Sequence, residues 1–361
     1  MDLSSRRHFL VTSVGAAITL AGTKLFAKPH DLDKTNAIIP SLKSISEVII
    51  NDGLSHPIPY LQAPGIGKDR ALVLSGGGGE YLLSWYMGYF HALTQSGVDL
   101  NLADIIIGTS AGSVAGAALS GSHLKHLAEE LDFFADFPVL LNDLAPNLEL
   151  SASQRRALQT GLDVKDADSS TIQSVGRAAM AAHTITGNNY ATTLKKLVGE
   201  NTWPSSKLFI TANDCYTGER LIVSKQEGIT IEQACTASSS WPGLNGPIWL
   251  KDRYCMDGGV CQTATHADVV MGAKRVLIIS LSDGSSQAVS EGLGLSSFPN
   301  TLNQEIKALD ANGSKTLLIT AGLPPGMKSI NLLDPKLIGP GLRYGYVRGI
   351  ADARKVLDFW L

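Results

Sequence analysis

This sequence predicts an α/β fold, a three-layer α/β/α arrangement around a mostly parallel sheet. Three observations carry that expectation. Short apolar runs stop at glycine turns, each turn opens a helical pattern, and the unit occurs twice in succession between residues 70 and 120. Such strand–turn–helix alternation is the signature of parallel strands joined by crossover helices. Glycine is abundant, 36 of 361 residues, while aromatics make up only 6%. That make-up suits enzymes whose loops approach a substrate closely.

Composition excludes several other classes. With 44% hydrophobic and 17% charged residues, the chain can fill a large core and is not a disordered one. Four cysteines exclude a disulfide-built scaffold. Thirty basic against 33 acidic residues give a net charge of −3, without the basic excess of a nucleic-acid binder. Beyond the N-terminus no stretch is long and apolar enough to span a bilayer.

The elements follow in chain order. Residues 1–27 read as an address: Arg6 and Arg7 precede an apolar run at 11–21, and no acid follows Asp2 there. The pattern resembles a twin-arginine export segment, which implies a periplasmic or secreted protein. Leu25-Phe26-Ala27 is a poor cleavage site because Leu25 is not small. Residues 28–68 hold Pro29, Pro40, Pro57, Pro59 and Pro64 and read as a leader over the surface of a 69–361 catalytic domain.

Within that domain, 71–74 is a buried strand by its length and flanks, and 81–95 has helical periodicity. Residues 105–107 form a β-branched strand and 111–119 a small-residue helix. Residues 124–200 are more polar and mostly helical, an insertion or cap. Later strands are expected at 208–212, 221–224, 249–255, 276–281 and 317–320. Later helices are expected at 231–237, 263–271 and 347–359.

The sharpest chemical signal is Gly108-Thr109-Ser110-Ala111-Gly112, between a strand and a helix. A sharp corner there exposes a serine hydroxyl, and the glycines give room to substrate. The helix start behind it adds free N–H groups and a positive dipole. The bland reading is a tight strand–helix turn.

A second signal is Ser75-Gly76-Gly77-Gly78-Gly79 after the first strand. Consecutive glycines let several N–H groups converge on a phosphate or an oxyanion. Tyr81 stands where a dinucleotide fingerprint needs its third glycine, and no phosphate-loop motif occurs. With Ser110 on the next strand, an oxyanion hole is the more economical reading. A third signal, Asp257-Gly258-Gly259, taken alone is an ordinary turn.

Together, in this order, these stretches resemble the patatin-like phospholipase family. Gly218-Glu219-Arg220 resembles a family strand turn, and residues 234–243 (ACTASSSWPG) resemble its approach to the aspartate. His266-Ala267-Asp268 stands where members often carry Asn-Ala-Asp. The likeness covers residues 70–122 and 205–281.

The resemblance implies a serine acyl hydrolase on the carboxylic esters of lipids, of phospholipase A or lysophospholipase type. It implies Ser110 as nucleophile, Asp257 as base, and an oxyanion hole at Gly76, Gly77, Gly78 and Gly79. Gly108, Gly112, Gly258 and Gly259 are the motif glycines. It implies no cofactor and no metal, a lipid or membrane-surface substrate, and no nucleic-acid partner; it leaves the oligomeric state open. One departure stands out: Glu80-Tyr81-Leu82 replaces the basic residue and glycine that commonly follow the glycine run. That change weakens the case for a phosphate headgroup. It leaves a general esterase or thioesterase, or a catalytically weakened lipid-binding protein, as alternatives.

Other candidates rank lower. His123 and His126 lack the partners of a metal site. His266, the histidine after Asp257, is read as structural rather than as a base. Phe133, Phe134, Phe137, Val139, Leu140 and Leu141 read as a core helix or an apolar entrance, and Trp241 and Trp249 as pocket lining or packing.

Overall fold

The computed structural model describes residues 64–121, 123–137, 149–164, 168–182, 187–198, 202–260, 263–294, 301–327 and 331–361. The address at 1–27, the leader up to residue 63, Val139, Leu140, Leu141 and Cys261 lie outside the described residues. Among the described residues, no helix is long and apolar enough to cross a membrane.

The strands are β1 (Arg70–Leu74), β2 (Ile105–Gly108), β3 (Leu208–Asp214), β4 (Arg220–Ser224), β5 (Ile248–Leu250), β6 (Arg253–Asp257), β7 (Arg275–Ser280) and β8 (Lys315–Thr320). They form one sheet in the order β5-β6-β3-β2-β1-β7-β8, with β4 also paired to β3. The pairs from β3 through β8 along this path are parallel, and those made by β4, β5 and β6 are antiparallel. Ala71 to Leu74 of β1 are fully buried, as a central parallel strand covered on both faces must be. Leu74 is level with Gly108 on one side and Ile279 on the other. The turns that follow β1 and β2 therefore emerge side by side at the carboxyl edge of the sheet, where open α/β sheets bind ligands.

The helices are α1 (Gly79–Gln95), α2 (Ala111–Ser120), α3 (Leu124–Asp136), α4 (Ala152–Leu162), α5 (Ser169–Ala181), α6 (Gly187–Val198), α7 (Ile231–Ser238), α8 (Ser286–Ser290), α9 (Thr301–Ala311) and α10 (Ile338–Trp360). α1 packs on both α2 and α10. The β7–α9–β8 connection runs across the sheet in the opposite sense to β1–α1–β2, so right-handed crossovers place α9 on the opposite face. α1 and α10 touch backbone to backbone: a Cβ on Gly345 would lie 2.1 Å from the Trp85 carbonyl oxygen, and one on Gly88 2.0 Å from that of Leu342.

The expected cap holds α3 to α6, and α4 and α5 dock onto the domain at its glycines. Gln154 of α4 donates to the Gly243 carbonyl at 3.1 Å. A Cβ on Gly218 would lie 2.3 Å from the Ser169 carbonyl oxygen at the start of α5. Val164, Ile172, Val175 and Ala179 form a second small core with Cys215, Met256 and Val260, on either side of Asp257.

Several expectations are corrected. The stretch 249–255 is two strands of a hairpin, turning at Lys251 with φ +57°. The helix expected at 263–271 is only a 3-10 turn, Ala267–Val270, preceded by His266 at φ +52°. The last helix begins at Ile338, earlier than its apolar spacing suggested, because its first half presents glycines rather than large residues to α1. α8 and α9 were not expected. Phe133 and Phe137 are 54% and 51% exposed, so this end of α3 is not a core helix. Trp249 is half exposed and stacks on Tyr254 at 4.7 Å, a surface packing contact.

Candidate active site

β3 brings the site together. β4 occupies one edge of β3 from Phe209 to Asn213. The other edge is shared: Ile210 pairs with Gly108 of β2, and Ala212 pairs with Asp257 of β6. β2 runs parallel to β3 and β6 antiparallel, so their carboxyl ends meet head to head across Thr211. The Thr211 hydroxyl closes the gap with a 2.8 Å hydrogen bond to that of Thr109. Ser110, two residues past the end of β2, and Asp257, the last residue of β6, are thereby brought together.

Ser110 is the residue before α2, at φ +50° and ψ −121°. That is a conformation an L side chain rarely adopts, and it is held by surrounding bonds. Its N–H donates to the Ser238 hydroxyl at 2.8 Å, and its carbonyl accepts from the Ser113 hydroxyl at 2.6 Å. Ser238 comes from the ACTASSSWPG stretch, so that motif fixes the serine turn from behind. The turn has no room for larger residues. A Cβ on Gly112 would lie 2.2 Å from the Leu74 carbonyl oxygen, and one on Gly108 2.7 Å from that of Gly112.

Asp257 is 3% exposed. Its carbonyl accepts from the Asn213 side-chain amide at 2.7 Å, and its N–H donates to the Ser240 carbonyl at 3.0 Å. Its Oδ1 accepts from the Gly259 N–H at 2.7 Å. Burial pushes the Asp257 carboxyl up to about 7, against the pull of hydrogen bonds from the Gly259 N–H and the Ser110 side chain. Gly258 lies against β3, where a Cβ would meet the Thr211 hydroxyl at 2.3 Å. The turn therefore needs a glycine there for the carboxylate to reach the serine.

The glycine turn passes directly over the serine. A Cβ on Gly76 would stand 2.9 Å from the Ser110 Cβ. The Gly76 N–H is already used, donating to the Ala264 carbonyl at 2.9 Å. Gly76 thus supplies clearance rather than a donor. Among the described residues, the N–H groups of Gly77, Gly78 and Gly79 have no acceptor, and Gly77 and Gly79 have φ +90° and +47°. The strap is anchored on both sides, by the Ser75 N–H on the Ile279 carbonyl at 3.0 Å and the Tyr81 N–H on Leu332 at 3.1 Å. Glu80 follows at once. Burial pushes its carboxyl up to about 8, its own N–H pulls it down, and Asp334 adds a smaller upward push.

His266 is fully buried behind the aspartate turn. Its Nε2 lies 2.9 Å from the Gly258 carbonyl oxygen and its Nδ1 3.2 Å from Arg220. Arg220 forms a bidentate pair with Asp268 at 2.9 Å for both bonds. The family-like Gly218-Glu219-Arg220 and His266-Ala267-Asp268 stretches are therefore two halves of one brace. Sequence reasoning missed Glu305, from α9. It is 2% exposed, accepts from the Thr263 hydroxyl at 3.0 Å and is bonded to the Thr265 hydroxyl. Trp241 packs beside Gly259, whose Cβ would sit 3.6 Å from its ring. His123 and His126 are exposed, with His126 3.2 Å from Glu130 on the same helix.

Three solved structures align with this chain at low identity. The crystal structure of VipD from Legionella pneumophila aligns at 15% identity over 80% of this chain and 67% of that one, with a TM-score of 0.39. The type III effector protein ExoU aligns at 14% identity over 79% and 53%, with a TM-score of 0.31. Human GIVD cytosolic phospholipase A2, solved with methyl gamma-linolenyl fluorophosphonate, aligns at 11% identity over 99% and 63%, with a TM-score of 0.36. The chain thus spans from about half to two thirds of these proteins' lengths. No curated protein matches it. The family model for patatin-like phospholipase matches residues 72–269, a span that holds the glycine turn, the serine turn and Asp257. With more than half of its length under that match, the chain belongs to the patatin-like phospholipase family.

Proposed function

We propose that the chain hydrolyses carboxylic esters of glycerolipids, as a phospholipase A or lysophospholipase, through a Ser110–Asp257 dyad. The observation that carries this reading is the meeting of β2 and β6 across Thr211, which sets the Ser110 turn beside a buried carboxyl lifted to about 7. A base of that strength accepts a proton at neutral pH and returns it readily.

Ser110 Oγ attacks the ester carbonyl carbon while Asp257 takes the hydroxyl proton. The electron pair of the C=O moves to oxygen, and the N–H groups of Gly77, Gly78 and Gly79 receive the oxyanion. Each such donor is worth about 3–4 kcal/mol in the transition state. The start of α2 adds positive potential behind the serine. Collapse of the intermediate breaks the bond to the lipid alcohol, which leaves with the proton held by Asp257. Water then attacks the acyl-serine with Asp257 as base, releasing the fatty acid and restoring Ser110.

Glu80 favours a second reading, a general esterase or thioesterase on small acyl chains. It places an acid, not a cation, beside the glycine turn, so no charge attraction for phosphate arises there. A chain-length series of neutral esters against phospholipids separates the two.

The test is labelling with a fluorophosphonate probe, which reports an activated serine. Wild type should label and Ser110→Ala should not. Equal labelling of both folded proteins would sink the dyad.

A further inference from the structure

We infer that Glu305 is a positioning residue that fixes residues 263–268 as a single clamp on both halves of the site. The inference rests on the dyad reading above and adds a residue outside the family match.

The geometry runs in two directions from one short segment. Thr263 and Thr265 both give their hydroxyls to the Glu305 carboxyl. The Thr263 hydroxyl also accepts the N–H groups of Thr265 at 3.0 Å and His266 at 3.2 Å, which shapes the segment locally. Between the threonines, the Ala264 carbonyl holds the Gly76 N–H at 2.9 Å, and Gly76 lies against Ser110. One residue further on, His266 holds the Gly258 carbonyl, and the next N–H in the chain, that of Gly259, holds Asp257. The glycine turn and the base turn thus hang from the same segment. Glu305 is the side chain of α9 that anchors it.

The surroundings of the anchor favour its protonated form. Burial first, and then the Asp268 charge, raise Glu305 to about 8, while Arg220 keeps Asp268 ionised and its carboxyl below the usual range. A Glu305 hydrogen bond also stabilises the Asp268 anion. A protonated Glu305 is therefore the form that suits the neighbouring Asp268 anion. The charged and titratable groups that face Glu305 are Asp268 and Arg220, with His266 next to them and neutral because burial holds its ring near 3. Deprotonating Glu305 sets two carboxylates against each other and replaces that bond by repulsion.

The test uses the whole chain and three readouts: kcat, KM and the rate of fluorophosphonate labelling, each from pH 5 to 10. Glu305→Gln keeps an acceptor for the threonines and a donor for Asp268 but cannot titrate. It should keep neutral-pH kcat within about threefold, as one exchanged hydrogen bond allows. It should also lose the alkaline fall expected of wild type near pH 8. Glu305→Leu should lower kcat and labelling about tenfold or more at nearly unchanged KM. An alkaline limb that is identical in wild type and Glu305→Gln overturns the inference, whether or not Glu305→Leu folds. So does a folded Glu305→Leu with wild-type kcat. Turnover by Ser110→Ala would refute the dyad instead, and leaves a separate mark.

Discussion

The Nε2 of His266 lies 2.9 Å from the carbonyl oxygen of Gly258, on the turn that carries the candidate base. Arg220 can only donate, so Nδ1 accepts from it and Nε2 carries the hydrogen given to Gly258. Both ring nitrogens are committed. The ring holds the aspartate turn and cannot take a proton from Ser110. His266→Ala should therefore lower kcat/KM by about 5–30-fold, the worth of one or two lost hydrogen bonds. A loss of about 10⁴-fold, as in a Ser–His–Asp triad, would contradict this arrangement. Steady-state kinetics of His266→Ala and His266→Asn decide it, with Asn expected to recover part of the activity.

In the proposed dyad, Asp257 sets the acid side of the pH profile. It must be ionised to accept the Ser110 proton, and burial lifts it to about 7. Activity should rise with pH through that value and level off above it. The rise should persist in His266→Ala. A limb centred near 4, the ordinary carboxyl range, would mean that the working aspartate is solvated.

The same carboxyl makes a stability prediction of opposite sense. Its folded value lies above its unfolded one, so the folded state binds more protons between about 4 and 7. The stability it contributes as the acid is lost as pH rises through that window. Asp257→Asn should abolish turnover and leave the protein more stable than wild type at pH 8, by about 1–4 kcal/mol. At pH 4 the two should be close. Thermal melts at both values measure the difference.

Two glycine substitutions should fail in different ways. An alanine at Gly112 puts its Cβ 2.2 Å from a buried backbone oxygen of β1, so Gly112→Ala should cost about 3 kcal/mol or more of stability. An alanine at Gly76 meets the Ser110 Cβ at 2.9 Å, a contact that small shifts relieve. Gly76→Ala should fold and label slowly. Melting temperature and labelling rate, measured side by side, separate the two effects.

The buried thiols should be inert. Cys215, Cys235 and Cys255 are buried, and burial raises all three, Cys235 to about 12. In a Cys261→Ser background, a thiol reagent at pH 8 should react only when the protein is unfolded. Fast reaction in the native state would show that the core around the reacting cysteine opens, the small core beneath the cap for Cys215 and the main core for Cys235 or Cys255.

Much of the site was legible because its requirements are local. A buried strand that stops at a glycine turn before a helix can be read directly, and it placed β1, β2, Ser110 and the glycine strap within a residue or two. Asp257 was legible only in company, because an aspartate before two glycines is ordinary by itself. What the sequence hid is the long-range part. Nothing local shows that β6 meets β2 end to end across Thr211, or that Asn213 and Ser238 hold the two turns. Glu305 was missed because an acid on a helix reads as solvated surface. Its neighbours Leu302 and Leu309 are buried on the same helix, and that spacing was the available signal. The helix expected at 263–271 failed because hydroxyl bonds to backbone compete with helical ones. The early turns of α10 escaped for a related reason, since a face of glycines carries no hydrophobic period.

The head-to-head meeting of β2 and β6 has a consequence for the time during which the protein is made. Ser110 is synthesised well before Asp257, and α2 and the whole cap are laid down between them. At ~5–20 residues per second that interval lasts roughly 7 to 30 seconds. During it the growing chain carries the serine turn without its candidate base. The β3 edge that must receive β6 is also still empty. The proposed dyad thus cannot assemble on the growing chain until β6 has been made, and vectorial synthesis itself delays the pairing.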